Sequence, residues 1–456
     1  MRHIWILIFS TFIIGCKNTD NKIIISGFIS DTSVKTVNLK TDDSTLIDSL
    51  DNGIFRFELN DMNDSYIDLK IRDNISLFVN RGDSIYVEID CNNKLTISGK
   101  GSEESNYLLE KKVLAKRLGI SNPRQLDISL YSSSTFNFIE RIDSVMYSRY
   151  KFLDTYKGKY PKISKVFVRM ERELIKCFWM NQRFKYYEFH KMLTKLDASL
   201  PKDYYKFIEE INPNQTELYR FKEYRNVLNA LIDYKSKELG KIESIDLLNE
   251  KFTLAKKLFS DKKIFDDIIS RAVITHINFN GIDGIDSIYN EVLPFVTDKA
   301  NKSRLVKKYT AWKNLTKGNK APNFELEDVN GEMVRLSDFK GKYLYIDCWS
   351  SYCGPCLSQL PAMKLLADEF ADKDIVFISV SMDRNRDRWL NKLKEFDLNI
   401  VNLCTGGKKH QFNKDYIIRA LPRYILIDKE GVIIDAAAPK PSMMHEQLKE
   451  LASKKN

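Results

Sequence analysis

The spacing of apolar residues changes twice along the 456-residue chain, and each change marks a different kind of fold. From about Lys22 to Lys100, short segments alternate apolar and polar residues and are separated by turn residues such as Asn52-Gly53. This alternation is typical of β-strands with one buried face, and Asn-Gly favours a tight hairpin turn. Residues 22–104 are therefore predicted to form an all-β sandwich or barrel. The predicted strands read NKIIISGFIS, VKTVNLK, IFRFELN, YIDLKI, SLFVN, SIYVEID and KLTISGKG.

The middle of the chain has helical spacing instead. In residues 164–196, apolar and aromatic residues recur every three or four positions, which is typical of an amphipathic helix. We expect helices to end near the prolines of this region, Pro123, Pro161, Pro201, Pro213 and Pro294. The pattern predicts an α-helical region over residues 105–315, with Cys177 buried in it as a small apolar side chain.

The charge of the chain restricts its partners. It has 72 lysines and arginines against 62 aspartates and glutamates, a net charge of +10, and most of the surplus lies in the helical region. Because acidic residues are mixed with the basic ones, this composition indicates a solvated surface rather than a nucleic-acid-binding face.

The last region alternates strands with helices. Residues 327–336, EDVNGEMVRL, are predicted to form a hairpin with Asn330-Gly331 at its turn. A strand over Tyr343–Cys348, a helix that begins at a cysteine motif, and a strand over Asp374–Ser381 follow. The remaining predicted elements are a helix near 387–396, the segment NIVNLC, a short helix near 410–417, the strand pair RYILIDKEGVIIDAA and a final helix. This order predicts an α/β domain around a central sheet in residues 316–456.

The N-terminus predicts export from the cytoplasm. The chain begins with Arg2 and His3, continues with an apolar segment too short to span a bilayer, and reaches Gly15-Cys16. This arrangement is typical of a secretory signal peptide, which we assign to residues 1–15. The ending Ile13-Ile14-Gly15-Cys16 resembles the lipobox of bacterial lipoproteins, which implies cleavage before Cys16 and acylation of that cysteine.

Acylation of Cys16 implies a lipid-anchored protein in the cell envelope. Residues 16–21 are then a lipidated linker, and the rest of the chain faces the periplasm from the inner or the outer membrane. Buried lipid methylenes contribute roughly 0.8 kcal/mol each, so two or three acyl chains anchor a protein stably. The alternative is a plain signal peptide with an incidental cysteine. Both cases favour an oxidising compartment, where disulfides form and persist.

Two cysteines in the third region have the spacing of a redox pair. Cys353 and Cys356 flank Gly354-Pro355 at the predicted strand-to-helix junction. The first turn of a helix presents unpaired N–H groups, which stabilise a thiolate at Cys353. Proline is tolerated there because its missing N–H would have been unpaired. Cys356 lies about one helical turn further on, so one thiolate can attack a disulfide and the second can resolve the mixed disulfide.

A zinc site and a purely structural disulfide are the alternatives for this pair. Structural zinc needs four ligands, and the sequence has neither a second Cys-x-x-Cys nor a pair of closely spaced histidines, so we expect no metal. A structural disulfide requires neither Gly-Pro between its cysteines nor a helix N-terminus. Redox exchange is therefore favoured, and the structural disulfide remains open.

The region from about Lys317 resembles the thioredoxin superfamily, specifically its TlpA-like (ResA-like), membrane-tethered branch. The segments APNFELEDVNGEMVRLSDFKGKYLYIDCWSSYCGPC and ALPRYILIDKEG carry the resemblance. It implies a thioredoxin-like fold, a redox-active Cys353–Cys356 disulfide and a cis peptide bond at Leu421-Pro422 that faces the active site. Pro361 matches the proline that kinks the active-site helix. The resemblance, with Tyr352 interpreted as a substrate-facing aromatic residue, implies a substrate-binding surface at Trp349, Tyr352, Gly354, Pro355, Leu421 and Pro422.

Asp347 aligns with the buried acid of thioredoxin, and this match implies a third catalytic residue. Burial would raise the pKa of its carboxyl group and suit it to take a proton from Cys356. The alternative is an aspartate that caps a strand end. Many TlpA-like proteins carry a glutamate three residues after the second cysteine, but here that position is Gln359, which cannot titrate. Cys348, expected to be buried, and Cys404 are candidates for a third redox thiol.

Residues 22–315 resemble, more loosely, the upstream part of Bacteroidetes-type lipoproteins, in which a β-rich domain of unknown function and a helical region precede a TlpA-like domain. The resemblances together imply a lipid-anchored extracytoplasmic thiol–disulfide oxidoreductase without a cofactor. It would reduce disulfides of client proteins, since Gly-Pro resembles the reducing members, and receive electrons from an upstream membrane donor.

Two other functions fit parts of the sequence. A peroxiredoxin-like peroxidase shares the APNFELEDVNGE opening, but no proline precedes Cys353 at the spacing that such peroxidases need. A non-catalytic envelope protein for binding or scaffolding is the other alternative, with the cysteine pair and Asp347 as evidence against it.

Overall fold

A computed structural model of the chain describes residues 22–41, 44–60, 62, 64–120, 128–237, 244–407 and 409–453. The predicted signal peptide, the linker and Cys16 lie outside the described residues. The chain divides into two compact units, Met1–Ala230 and Leu231–Asn456. Within the described ranges, no helix is both long enough and apolar enough to cross a membrane.

The first unit begins with a β-sandwich. Its described strands are β1 (Ile23–Ile29), β2 (Thr36–Lys40), β3 (Thr45–Ser49), β4 (Ile54–Leu59), β5 (Ser65–Lys70), β6 (Asn74–Val79), β7 (Ser84–Ile89) and β8 (Leu95–Lys100). They form two four-stranded sheets with the orders β4-β1-β7-β8 and β3-β2-β5-β6. Alternate residues of each strand point to the same face. The inward-facing residues of both sheets pack in one buried core, which includes Phe55 and Phe57 of β4 with Leu69 and Leu77. The predicted sandwich is confirmed.

Strand β3 is absent from the strands that the sequence predicts. Its side chains are mainly exposed, with Leu46 37% and Ile47 68% accessible, so TLIDS has no buried face to produce an alternating pattern. The strand lies at the edge of its sheet and pairs only with β2 among the described strands. Its register is set by this one pairing rather than by burial.

Helices follow the sandwich, as predicted. The described ones are α1 (Ser102–Arg117), α2 (Ile128–Ser132), α3 (Thr135–Lys159), α4 (Lys165–Thr194), α5 (Lys222–Lys237), α6 (Ser244–Leu258), α7 (Lys262–Asn280), α8 (Asp286–Val292) and α9 (Lys299–Trp312). Ser164 caps α4, accepting a hydrogen bond from the Phe167 N–H at 3.3 Å. Cys177 is buried in α4, as expected. The division between the two compact units falls within α5, so the helical region contributes to both.

The second unit ends in an α/β domain. Its strands are β9 (Glu325–Asp328), β10 (Met333–Arg335), β11 (Tyr343–Trp349), β12 (Ile375–Ser381), β13 (Val401–Cys404), β14 (Arg423–Ile427) and β15 (Ile433–Asp435). Its helices are α10 (Gly354–Leu357), α11 (Leu360–Glu369), α12 (Arg386–Phe396), α13 (Gln411–Asp415) and α14 (His445–Ser453). The strands form one mixed sheet in the order β10-β9-β13-β12-β11-β14-β15, with the predicted hairpin at its edge.

The centre of this sheet positions the cysteine motif. Strand β11 is parallel to β12 and antiparallel to β14, and almost all of its residues are buried. A continuous apolar strand of this kind is typical of a sheet that is covered on both faces. The motif therefore begins where the most buried strand of the sheet ends. The multidomain fold class inferred from the sequence is confirmed.

Candidate active site

The two cysteines of the motif differ in access. The turn after β11 leads to Cys353, and α10 begins at the next residue. A disulfide joins Cys353 to Cys356. Cys353 is half-buried, whereas Cys356 is fully buried among Trp349 and Leu360. An incoming sulfur therefore meets Cys353 first.

The start of α10 provides donors for the sulfur of Cys353. Cys353 is the residue that caps this helix, and its Sγ accepts a hydrogen bond from the Cys356 N–H at 3.3 Å. An N–H aimed at sulfur stabilises the thiolate more than the thiol. Pro355 occupies the first turn, where it removes no intrahelical hydrogen bond. A Cβ atom added at Gly354 would meet no atom within 4 Å, so the surface beside Cys353 is open.

Asp347 lies under this site in the sheet. It shares one face of β11 with Trp349, since alternate residues of a strand point the same way, and Trp349 packs against Cys356. The Asp347 side chain is fully buried, and neither carboxylate oxygen has a hydrogen-bond partner among the residues described. Burial raises the pKa of Asp347 to about 8. The alternative of a strand-end cap does not fit, because both oxygens lack the N–H groups that a cap would bind.

Trp349 and Tyr352 have different environments, although both were assigned to the substrate-binding surface. Tyr352 is 59% exposed and lies next to Cys353, where a client can reach it. Trp349 is fully buried, and its Nε1–H donates to the Ser379 Oγ at 2.6 Å. The assignment of Trp349 as a substrate contact is therefore corrected, because its ring is buried and packs against Cys356. A motif match gives a position but not its exposure.

The peptide bond between Leu421 and Pro422 is cis, as the resemblance implied. Both residues are half-buried, and Leu421 packs against the apolar cluster that contains Trp349 and Cys356. Cys353 packs against the same cluster. The fold thus brings together two segments that lie far apart in the sequence.

Comparisons with known proteins agree with this geometry. The family model described as Redoxin matches residues 316–450. The thiol-disulfide oxidoreductase ResA of Bacillus thuringiensis is 32% identical over 147 residues, which are 32% of this chain and 82% of that protein. The chain belongs to the ResA family of thiol-disulfide oxidoreductases. ResA of Bacillus subtilis is 28% identical over 137 residues, 30% of this chain and 75% of that protein.

Among solved structures, a putative thiol-disulfide oxidoreductase from Bacteroides vulgatus is 36% identical. The match covers 30% of this chain and 98% of that one, with a TM-score of 0.29. As a member of the ResA family, the protein is a thiol-disulfide oxidoreductase, and its family match coincides with the α/β domain that holds Cys353 and Cys356.

This ResA-family site contains an acid that the sequence analysis missed. The carboxylate of Asp383 accepts hydrogen bonds from the Ser351 N–H at 2.8 Å, the Ser351 hydroxyl at 2.9 Å and the Ser381 hydroxyl at 2.9 Å. All three residues are buried. Asp383 thereby ties the turn before Cys353 to the end of β12. Its position in the sequence could have indicated this residue. Asp383 follows β12, which is parallel to β11, so both strands end at the same edge of the sheet.

Arg423 is a second missed residue. It follows the cis proline directly and is buried, and its guanidinium donates to the carbonyl oxygens of Asn278 and, at 3.4 Å, Ala436. The guanidinium also lies 4.6 Å from the ring centre of Trp312. Burial lowers the pKa of Arg423 to about 10. Arg423 therefore connects the strand after the cis peptide to α7 and α9, within the second compact unit.

The remaining thiols are less suited to exchange. Cys348 is fully buried, as expected, and Cys404 is half-buried; burial raises the pKa of both. Cys404 donates to the Asp383 carbonyl oxygen at 3.5 Å. Gln359 accepts a hydrogen bond from the Ser442 N–H at 3.3 Å and precedes α11, in whose first turn Pro361 lies. Within the described ranges, no group of three acidic, histidine or cysteine side chains could hold a metal ion.

Proposed function

We propose that this oxidoreductase reduces disulfides of client proteins outside the cytoplasm, with Cys353 as the nucleophile and Cys356 as the resolving thiol. The observation that carries the assignment is the asymmetry of the pair. Cys353 is half-buried at the start of α10, beside the open surface of Gly354 and the exposed ring of Tyr352, whereas Cys356 is fully buried. A nucleophile must reach its client, and a resolving thiol needs only to reach the nucleophile.

In the proposed reaction, the Cys353 thiolate of the reduced protein attacks one sulfur of a client disulfide. The client S–S bond breaks, its other sulfur leaves as a thiolate and takes a proton, and a mixed disulfide forms at Cys353. Cys356 then loses its proton and attacks the Cys353 sulfur, which releases the second client thiolate and forms the Cys353–Cys356 disulfide. Two electrons pass from the protein to the client.

Asp347 is proposed to handle the proton of Cys356. A carboxyl group with a pKa of about 8 exchanges protons near neutral pH, which an ordinary aspartate does not. Asp347 lies on the same face of β11 as Trp349, the residue on which Cys356 packs. Gln359 cannot take this role, because an amide does not titrate.

The place of action is proposed from the N-terminus. Residues 1–15 have the pattern of a signal peptide, and Ile13-Ile14-Gly15-Cys16 resembles a lipobox. We propose a lipid anchor at Cys16 in the cell envelope. Each turnover leaves a Cys353–Cys356 disulfide, so continued reduction requires electrons from an upstream dithiol donor in the membrane.

The proposal is tested by reduction of insulin disulfides with dithiothreitol as the electron source. The protein without its first 21 residues should accelerate precipitation of the insulin chains. Cys353→Ser should abolish this acceleration, because the nucleophile is lost. Cys91→Ser, which changes an exposed cysteine of the sandwich, is the matched control and should behave as wild type. Equal rates for wild type and Cys353→Ser would show the proposal to be wrong.

A further inference from the structure

The first compact unit contains a cavity that takes no part in the redox site. It has a volume of about 580 Å³ and is walled by β5 and β6 of the sandwich, by α1, α3 and α4, and by the start of α5. All of its lining residues precede Ala230. Its size is within the range of small-molecule sites, which is roughly 300–1,000 Å³.

One wall of the cavity is a buried ionic network. Glu171 of α4 is completely buried, and its carboxylate accepts hydrogen bonds from the Tyr66 hydroxyl at 2.9 Å and from the Lys111 Nζ at 2.7 and 2.8 Å. Removing charged groups from water is costly, so they are rarely kept in a protein interior without a structural or functional reason. Lys111 and Tyr66 satisfy Glu171, which therefore needs nothing from a ligand.

Arg149 of α3 is in the opposite situation. It lines the cavity, and its guanidinium lies 4.9 Å from the ring centre of Phe178. In the part of the chain that the structure describes, this guanidinium forms no hydrogen bond and no ion pair. Guanidinium carries five N–H donors in a planar fork and is matched by a carboxylate, sulfonate or phosphate group. Burial lowers the pKa of Arg149, and the nearby charges of Glu171 and Glu223 oppose this shift.

The remaining lining indicates the rest of the ligand. Leu108, Leu174, Phe178 and Phe221 give the cavity apolar walls. Four basic residues line it against two acidic ones, and Glu171 is already paired with Lys111. Lys112 and Lys116, the other two lysines of the lining, lie at exposed positions of α1, where they would attract an anion towards the opening.

We propose that this cavity is a binding site for a small organic anion, a molecule that carries one oxyanion group on an apolar body. The oxyanion pairs with Arg149, and the apolar body lies against Leu108, Leu174 and Phe178. This site is separate from the oxidoreductase activity, since no residue of the cysteine motif contributes to it.

The test compares two fluorescent probes that differ in one group, 1-anilinonaphthalene-8-sulfonate and the uncharged N-phenyl-1-naphthylamine. Both are titrated into the oxidised full chain and into Arg149→Met, which keeps the apolar stem but removes the charge. We expect one saturable site for the sulfonate and a loss of affinity of about tenfold or more in the variant, as for a hydrogen-bonded charge. The neutral probe should change less than about twofold. Lys151→Met, at an exposed position of the same helix, is the control and should bind both probes as wild type does.

A second variant covers the case in which Arg149→Met does not fold. Ala115→Trp places a large ring in the lining of the cavity and should weaken binding of both probes. Dodecanoate and monododecyl phosphate, added as competitors, distinguish a carboxylate ligand from a phosphate ligand. The proposal is wrong if the sulfonate does not bind, if Arg149→Met and Lys151→Met lower its affinity equally, or if Ala115→Trp leaves both probes bound.

Discussion

A single buried carboxyl group, that of Asp347, is proposed to give the redox site its response to pH. Asp347 is surrounded by the interior of the sheet, where Tyr424 of β14 is its partner in register and Tyr345 lies two positions earlier on its own strand. Without hydrogen bonds to its oxygens, the charged form is disfavoured and the proton is held. The group is therefore available for proton exchange near the pH at which thiols ionise.

The Asp347→Asn substitution tests whether the Asp347 carboxyl group is protonated in the folded chain, by its effect on the free energy of unfolding. The folded chain keeps the proton of Asp347 up to a pKa of about 8, whereas an unfolded aspartate loses it near 3.8. Between these pH values the folded state binds more protons, so the free energy of unfolding contributed by Asp347 falls as pH rises from about 4 to about 8. The fall is about 1.4 kcal/mol per unit of pKa difference.

The amide that replaces the carboxyl group in this variant cannot ionise. Between pH 5 and pH 8 the oxidised wild type should therefore lose several kcal/mol more free energy of unfolding than the variant does. The free energy of unfolding is measured at each pH by urea titration, with hydrogen exchange in peptides from β11 as the signal. Identical pH dependence in the two proteins would mean that Asp347 is ionised in the folded chain.

Asp383 is a positioning residue, since it touches the turn before Cys353 rather than the sulfur itself. In Asp383→Ala, the Ser351 N–H and two hydroxyls lose their acceptor, which costs roughly 1–3 kcal/mol for each buried group left unpaired. We expect the turn to loosen, the reaction of Cys353 with iodoacetamide to slow, and the pH midpoint of this reaction to differ from that of the wild type.

The measurement is the rate of iodoacetamide alkylation of the reduced protein across pH. Asp372→Ala, at an exposed position, is the control and should match wild type. A variant that is less stable but keeps the wild-type pH profile would show that Asp383 stabilises the domain without positioning Cys353.

At the scale of single residues, the sequence identifies site residues that belong to short motifs but not contacts between residues far apart in the chain. Cys353 and Cys356 belong to a short motif, and the resemblance to thioredoxin implied both the cis proline and the buried Asp347. The contacts of Asp383 and Arg423 could not be predicted, because their partners Ser351 and Asn278 are 32 and 145 residues away in the chain. Spacing carries no information about such contacts.

Among the elements, β14 couples the active site to the helical region of its own unit. Arg423 begins this strand immediately after Pro422 and donates one hydrogen bond to the Asn278 carbonyl oxygen near the end of α7. Its guanidinium also stacks on Trp312 at the end of α9. The helices therefore support the segment that is expected to pair with a client.

Replacing Arg423 by Met tests this coupling. The variant leaves carbonyl oxygens of Asn278 and Ala436 without their donor and removes a stacked cation, so we expect a loss of about 2–4 kcal/mol in the free energy of unfolding. Hydrogen exchange should rise both in the peptide after Pro422 and at the end of α7. Arg419→Met, at an exposed position four residues earlier, is the control. Faster exchange in β14 alone would contradict a coupling to the helices.

Elements with a buried face were predicted well, whereas one mainly exposed strand was not predicted. Strands β1 and β11 are recognisable because one or both of their faces are apolar. The mainly exposed edge strand β3 was missed for the opposite reason. A helical region was predicted over 105–315, and the two compact units divide within α5, inside that region. Helical periodicity shows which face of a helix is buried but not against which partner.

For the whole molecule, the proposed lipid anchor at Cys16 would determine in which compartment the redox site acts. We expect Cys16→Ser expressed in a bacterium that processes lipoproteins to move from the detergent phase to the aqueous phase on extraction with Triton X-114. The acyl chains, each contributing roughly 0.8 kcal/mol per buried methylene, are then lost. Cys91→Ser, which changes an exposed cysteine of the β-sandwich, should remain in the detergent phase. Equal partitioning of both variants would exclude an anchor at Cys16.

Trapping the mixed disulfide shows which of the two thiols attacks the client first. Reduced Cys356→Ser, which keeps the nucleophile but cannot resolve, is mixed with oxidised insulin and the products are separated without reductant. We expect a covalent adduct at Cys353 that dithiothreitol releases, and no adduct with Cys353→Ser. An adduct that forms at Cys356 in the Cys353→Ser protein, or none in either variant, would contradict the assignment of Cys353 as the nucleophile.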